Sequence, residues 1–400
     1  MTRLKILMLT RLFPSRAFPN FGTFCMERAK ALMHHADVRV MVPTPWSVPW
    51  LIGPQEWRRW ARVEREAEVD TGIRATYPRY VSIPRIATWS QGLAMARAAR
   101  HDLKTHYSDW RPDIIDGHFA FPDGYSAVRL ARTIGCPSLI TCHGSDLRLY
   151  PELPITRSMV RWALANADRV ISVSSDLRRR SIDLGCAEEN AVFLSNGVDP
   201  AKFALRAKTE CRQQLGLPVD RPVGVCVGYL IDTKDQSLIL RALAEIRRRG
   251  RLVPLVALVG DGPNRERLQR DVIDLGLEND VVFAGQRPHA EVAIWMGAAD
   301  WLVLASRNEG WATVYFEAMA CGRPVLTSNV SSAKDAICRA DYGRVVEPRT
   351  PFAFADAMLE ANAKNFDDKV IRAYAEDHSW ARWAEKVMHV MESAIDAHQA

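Results

Sequence analysis

A chain of 400 residues is too long for one ordinary core, so two domains are expected. Apolar residues make up 48% and charged residues 25%, the globular norm; that composition argues against disorder, and the lack of any run near 18 apolar residues argues against a membrane-spanning helix. Charge is uneven: residues 1–190 carry 27 Lys and Arg against 19 Asp and Glu, a net of +8, whereas residues 191–400 carry 26 against 28, so the halves are expected to meet different partners.

The first apolar run, Leu4–Leu9, reads as a strand. It is too short for a signal peptide and meets Arg11 without a small-residue cleavage site, so a cytoplasmic protein is expected. The eight scattered cysteines show no Cys-x-x-Cys and fit buried free thiols better than a disulfide framework or a zinc site. Gly22 stands between this strand and a helical stretch from Met26. A glycine there lets a ligand approach the backbone, and a helix start favours negative charge; an ordinary turn would look the same. A strand at Val38–Val42 leads into residues 43–65, where Trp46, Trp50, Trp57 and Trp60 mix with Arg58, Arg59, Arg62 and Arg65. Such a mix suits an anionic membrane surface, or a surface excursion whose Trp rings pack on the domain.

Strands then follow at Ile114–Gly117, Ser138–Cys142, Arg169–Val173 and Ala191–Leu194. His118 comes just after the first of these, and His143 and Asp146 just after the second. Asp146 could face a ligand or cap a helix beginning near Leu147. Ser195–Pro200 is turn-rich and marks the domain boundary. The second half repeats the alternation, with strands at Val223–Val227, Val253–Val259, Val281–Ala284, Trp301–Leu304, Pro324–Thr327 and Gly343–Val346. Two such runs argue for α/β architecture, two Rossmann-like domains with parallel sheets. Residues 1–200 and 201–376 are the expected domains, and 377–400 a closing helix, with helical periodicity through Trp380, Trp383, Val387 and Met391.

Lys234 lies in the loop after the first strand of the second half, Asp261 in a Gly-Asp-Gly-Pro turn, and Arg287 after Phe283-Ala284-Gly285. Glu309-Gly310 follows the strand Trp301–Leu304, and Glu317 lies on the next helix. Ligands bind in open α/β sheets at such carboxyl ends, and carboxylates there accept hydrogen bonds from hydroxyls. No P-loop, dinucleotide fingerprint or Asp-x-Asp occurs.

The words Glu309-Gly310 and Glu317-Ala318-Met319-Ala320-Cys321-Gly322-Arg323-Pro324, with Glu-x7-Glu spacing, resemble the signature of retaining nucleotide-sugar glycosyltransferases of family 4, which have the GT-B fold. The segments around His118 and His143 look like those of members that build teichuronic acid and exopolysaccharides. The resemblance spans about residues 1–375. It implies two domains facing a central cleft, a last helix crossing back onto the first domain, a nucleoside-diphosphate sugar as donor, and a lipid-linked glycan or polysaccharide as acceptor. It also implies no metal and no other cofactor; no nucleic-acid partner is expected. By resemblance Glu309, Lys234 and His118 are catalytic; Gly22, Lys234, Glu309, Gly310, Arg287 and Glu317 bind donor; His118, His143 and Asp146 position acceptor or sugar. Tyr229 departs from the family's Gly-Arg, so charge on the leaving diphosphate must be met by Lys234, helix starts or Arg11. An epimerase or phosphorylase of the same fold, and a degenerate nucleotide-sugar binder, remain alternatives. The inner face of a membrane is the expected location.

Overall fold

The computed structural model describes residues 3–19, 21–46, 59–69, 72–81 and 88–399. Contacts divide the chain into two units, Met1–Asn196 with Trp380–Ala400, and Gly197–Ser379. Each is an α/β unit built on a parallel sheet.

In the first unit the strands are β1 Lys5–Leu9, β2 Asp37–Met41, β3 Thr44–Trp46, β4 Glu66–Val69, β5 Ile73–Thr76, β6 Arg79–Val81, β7 Ile114–His118, β8 Ser138–Cys142, β9 Arg169–Ser172 and β10 Ala191–Phe193. Eight form one sheet in the order β10-β9-β8-β7-β1-β2-β5-β4, and β3 pairs with β6 apart from it. Pairing is parallel except for the edge strand β4, antiparallel to β5. The period-two geometry of a strand sends alternate residues of β1 to opposite faces. Ile6 and Met8 join Cys25, Ala29 and Leu32 of the helix Thr23–Met33, together with Trp383, Val387, Met391 and Ala394 of the helix Trp380–Gln399. Leu7 and Leu9 join Met95, Ala99 and Leu103 of the helix Gln91–His106 on the other face. With both faces covered, β7 and β8 are buried along their whole length, their polar residues included.

In the second unit the strands are β11 Val223–Val227, β12 Leu255–Val259, β13 Val281–Gly285, β14 Trp301–Leu304, β15 Val325–Ser328 and β16 Gly343–Val346. Their order, β13-β12-β11-β14-β15-β16, is parallel throughout and is the doubly wound Rossmann order. The strands β3 to β6 are additions to the expected set. They are three or four residues long, and β4 shows no more than Glu out and Ala or Val half in.

Asp300 fixes the start of β14 against β11. Its carboxylate accepts from the Val223 amide at 2.8 Å, Lys208 at 2.6 Å and Arg212 at 2.7 Å. Arg212 is nearly buried, so losing the carboxylate strands a cation. Asp300→Ala is expected to cost about 3 kcal/mol, read as a lower urea midpoint at unchanged slope.

Candidate functional site

In the second unit, strand order reverses between β11 and β14, so their carboxyl-end loops leave in opposite directions and open a crevice. Lys234 follows β11 and Glu309 follows β14. The Lys234 ammonium donates to Glu309 Oε1 at 2.5 Å, and Ser306 Oγ donates to the same oxygen at 2.7 Å. Glu309 Oε2 has no hydrogen-bond partner among the described residues. The residue after Lys234, Asp235, has φ 45°, a left-handed backbone uncommon for a side-chain-bearing residue. Its buried carboxylate is held there by Arg307 at 2.9 Å and by Arg349, which fixes the turn that aims Lys234.

Glu317 is half-buried on the helix Val314–Ala320, and no hydrogen bond reaches its carboxylate among the described residues. Burial pushes its pKa up to about 7, against the pull of Lys202. The two acidic groups therefore answer to different cations, Glu309 to Lys234 and Glu317 to Lys202. Tyr229 is 65% exposed and offers no charge. Arg307, 60% exposed, lies beside the Lys234 loop, its amide bonded to Thr233 O at 2.8 Å. Arg287 is spent locally, on Ala284 O and Glu291. The glycines of Gly-Asp-Gly-Pro serve packing: a Cβ on Gly260 would lie 2.0 Å from Gly228 O. Asp261 is bonded to the Gly262 amide and Arg265, as the turn reading anticipates. Gly310 is half-exposed beside Glu309.

The first unit has its own reversal, between β1 and β7. Gly22, with φ 69°, starts the helix Thr23–Met33, and a Cβ there would lie 2.2 Å from Leu12 C and O. The loop's own backbone thus demands glycine, a different reason from the approach of a ligand. Arg11, the proposed counter-charge, is taken by Asp123, which accepts from its amide at 2.5 Å and its Nε at 3.1 Å.

His118 ends β7 and is 0% exposed. A ring with no surface acts through a neighbour, so the expected catalytic contact becomes a positioning one. Arg28 Nη1 lies 3.1 Å from His118 Nδ1, and His143 Nε2 lies 3.2 Å from the same atom. A guanidinium only donates, so His118 Nδ1 accepts and its proton sits on Nε2, 3.2 Å from Asp116 Oδ2. If His143 donates through Nε2 to His118 Nδ1, it shares the single lone pair with Arg28 and keeps its own Nδ1 as an acceptor, which has no partner among the described residues. His143 is half-buried between the rings of Phe24 and Phe119, at 4.9 and 4.6 Å. Burial, then the charge of Arg28, then His118, hold its pKa well below the ordinary histidine value, so it stays neutral. Asp146 is fully buried and accepts from the amides of Ala120, His143 and Gly144, which decides its open reading in favour of holding the loop.

Arg28 went unseen in the sequence because it sits mid-helix among ordinary charges. It is 0% exposed, its ring-stacking partner is Trp383 at 4.5 Å, and Nε and Nη2 have no hydrogen-bond partner among the described residues. Burial lowers its pKa to about 10 against the opposing field of Asp116. Of the Trp/Arg segment, Trp60 packs on Phe18 at 4.3 Å, Arg59 donates to Ala17 O, and Trp46 is exposed; Trp50, Trp57 and Arg58 lie outside the described residues. No helix among the described residues is long and apolar enough to cross a membrane.

Two family models match the chain, Glycosyltransferase Family 4 over residues 51–202 and Glycosyl transferases group 1 over residues 207–378. The chain is 29% identical over 361 residues to a Bacillus subtilis protein assigned as the teichuronic acid biosynthesis glycosyltransferase TuaC, covering 89% of this chain and 88% of that one. It is 35% identical over 230 residues to the GDP-mannose-dependent alpha-(1-6)-phosphatidylinositol monomannoside mannosyltransferase of Mycolicibacterium smegmatis, covering 54% of this chain and 59% of that one. The fold matches sucrose-phosphate synthase of Thermosynechococcus elongatus with a TM-score of 0.76 at 20% identity, over 99% of this chain and 100% of that one. It matches Anabaena HepE in complex with UDP with a TM-score of 0.74 at 19% identity, over 98% and 100%.

Replacing Arg28→Met together with Asp116→Asn removes the charge that faces His143 and keeps the core neutral. His143 should then take up its proton at higher pH, visible in an NMR titration of its ring protons. An unmoved titration would mean that burial alone sets it.

Proposed function

The chain belongs to the family 4 glycosyltransferases of GT-B type, and from that premise we propose that it moves a sugar from a nucleoside diphosphate to a lipid-linked glycan or growing polysaccharide, with retention of anomeric configuration and without a metal or other cofactor. The single observation that carries the donor half is the Lys234–Glu309 pair at the β11/β14 crevice, with Oε2 of Glu309 left open. The relatives' names support the ligand classes: GDP-mannose dependence and a UDP complex on the donor side, teichuronic acid and a phosphatidylinositol mannoside on the acceptor side. The basic excess of residues 1–190 fits an acceptor in an anionic setting, at the inner face of a membrane.

The barrier lies in breaking the anomeric C–O bond, which sheds negative charge onto the diphosphate. Lys234 meets that charge, and a cation fixed by a bonded partner does so without reorganising. Arg307 supplies the second charge that Tyr229 lacks. Glu309 Oε2 binds a donor-sugar hydroxyl, with its other oxygen pinned by Lys234 and Ser306. Glu317 accepts from the ribose hydroxyls. His143 Nδ1, bare and neutral, accepts from an acceptor hydroxyl. The departing phosphate takes that hydroxyl's proton. The exposed phenol of Tyr229 favours one rival, a protein that binds nucleotide sugar without turnover; binding with no transfer to any glycan acceptor would be its mark.

A thermal-shift screen of nucleoside diphosphates and their sugars finds the donor, since a ligand at 100 times its Kd adds about 2.7 kcal/mol. Glu317→Ala should abolish that shift, and a retained shift would overturn the ribose assignment. Because Glu317 is protonated below a pKa of about 7 and the ionised form accepts more hydrogen bonds, donor affinity should rise with pH through that value. Calorimetry with Glu317→Gln should show a flat profile there. Tyr229→Arg should tighten donor binding, and Arg307→Ala weaken it, each by about tenfold.

A further inference from the structure

Among the described residues of the first unit, exposed large aliphatics gather at one short segment. Leu149, Leu153 and Ile155, all within seven residues, are 65%, 58% and 56% exposed. Isolated exposed leucines are common, but three large aliphatics presented together by two prolines are not. The backbone beneath them is fixed. Leu149 N donates to Ser145 O at 2.8 Å, Arg157 N to Leu153 O at 2.8 Å, and Arg157 Nε to Pro151 O at 2.6 Å. Tyr150 anchors the turn on Phe121 at 5.2 Å, and Pro151 and Thr156 are buried. The fold therefore holds these aliphatics outward. Trp89, half out in solvent, sits on the turn Thr88–Ser90, which packs on the same helix, Pro154–Asn166.

Cations flank this segment. Arg148 and Arg179 share Asp176, at 2.7 and 3.8 Å. Arg157 and Arg180 are exposed and have no ion pair among the described residues, while Glu152 is the one further acid on the turn. Aliphatic tips, a Trp on a turn packed against the same helix and arginines without ion pairs complement an interface of acyl chains under anionic headgroups.

We propose that residues 149–157, with Trp89 and Arg180, form a docking surface for an anionic lipid membrane. Leu149, Leu153 and Ile155 enter the acyl boundary, Trp89 sits at headgroup depth, and Arg157 and Arg180 meet lipid phosphates. The surface begins six residues beyond His143, on the carboxyl side of β8, so docking brings a lipid-linked hydroxyl to the rim where Nδ1 stands bare. This deepens the reading of a lipid-linked acceptor and does not depend on the donor chemistry. It also differs from residues 43–65, whose Trp60 is turned into the unit's own core.

The test is co-sedimentation of the full chain with phosphatidylcholine vesicles with and without phosphatidylglycerol, at low and high salt. Wild type should pellet with the anionic vesicles and be released by salt. Leu149→Ser, Leu153→Ser and Ile155→Ser together should abolish pelleting; Arg157→Gln and Arg180→Gln should each weaken it by about fivefold. Both sets should keep the wild-type melting curve and the nucleotide-induced shift, which separates a failed surface from a misfolded chain and from a failed donor assignment. Three results would overturn the proposal: no vesicle binding by wild type, undiminished binding by the triple variant, or a concentration-dependent dimer that the triple variant dissolves, which would make a second copy the occupant.

Discussion

Reversal of strand order governs where chemistry can occur in this molecule. Neighbouring parallel strands stand about 4.8 Å apart, and where one crossover leaves upward and the next downward their loops cannot cover each other. In the second unit that gap brings Lys234 and Glu309, 75 residues apart in sequence, to 2.5 Å. In the first it gathers the loop after β1 and the end of β7, where Arg11, Gly22 and His118 lie. The remaining elements serve to hold those strands in register, as Asp300 does for β11 and β14.

The two units treat charge in opposite ways. Around β7 the charge is sunk: Arg28, Asp116 and His118 are buried, and the tautomer of each ring is dictated by the next donor in line. A low-dielectric setting makes such orientation strict, because an unmet donor has no water to turn to. Around β11 and β14 the charge is left partly wet, with the paired Lys234 and Glu309 side chains both partly exposed. One arrangement presents a single neutral acceptor atom; the other presents ions that can exchange partners.

The sequence discloses much of this, for stated physical reasons. Strands buried on both faces, such as β12 and β14, are continuous apolar runs, and the loops that follow β11 and β14 carry Lys234 and Glu309 to one strand-order reversal. The edge strand β4 and its neighbour β5 carry too few residues to show a period. The reason for Gly22 needs the path of Leu12 and Phe13, and the burial of His118 and Asp146 needs the neighbouring strand and loop. Arg28 and Lys202 are invisible because cations on helices and turns are usually solvated; only the fold reveals which one is entombed. The counter-charge sought in Arg11 fails for the same cause, since Asp123 arrives from 112 residues away.

The helix Trp380–Gln399 completes a core whose other members all precede residue 197. During synthesis the second unit, continuous from Gly197 to Ser379, can close before the first. Until Trp383, Val387 and Met391 leave the ribosome, one face of the earlier sheet has only the helix Thr23–Met33 and nearby side chains to cover it, and the Arg28 guanidinium lacks its aromatic lid. A nascent chain of this design must therefore keep an open greasy flank shielded, by a chaperone or by the ribosome surface, through most of its elongation.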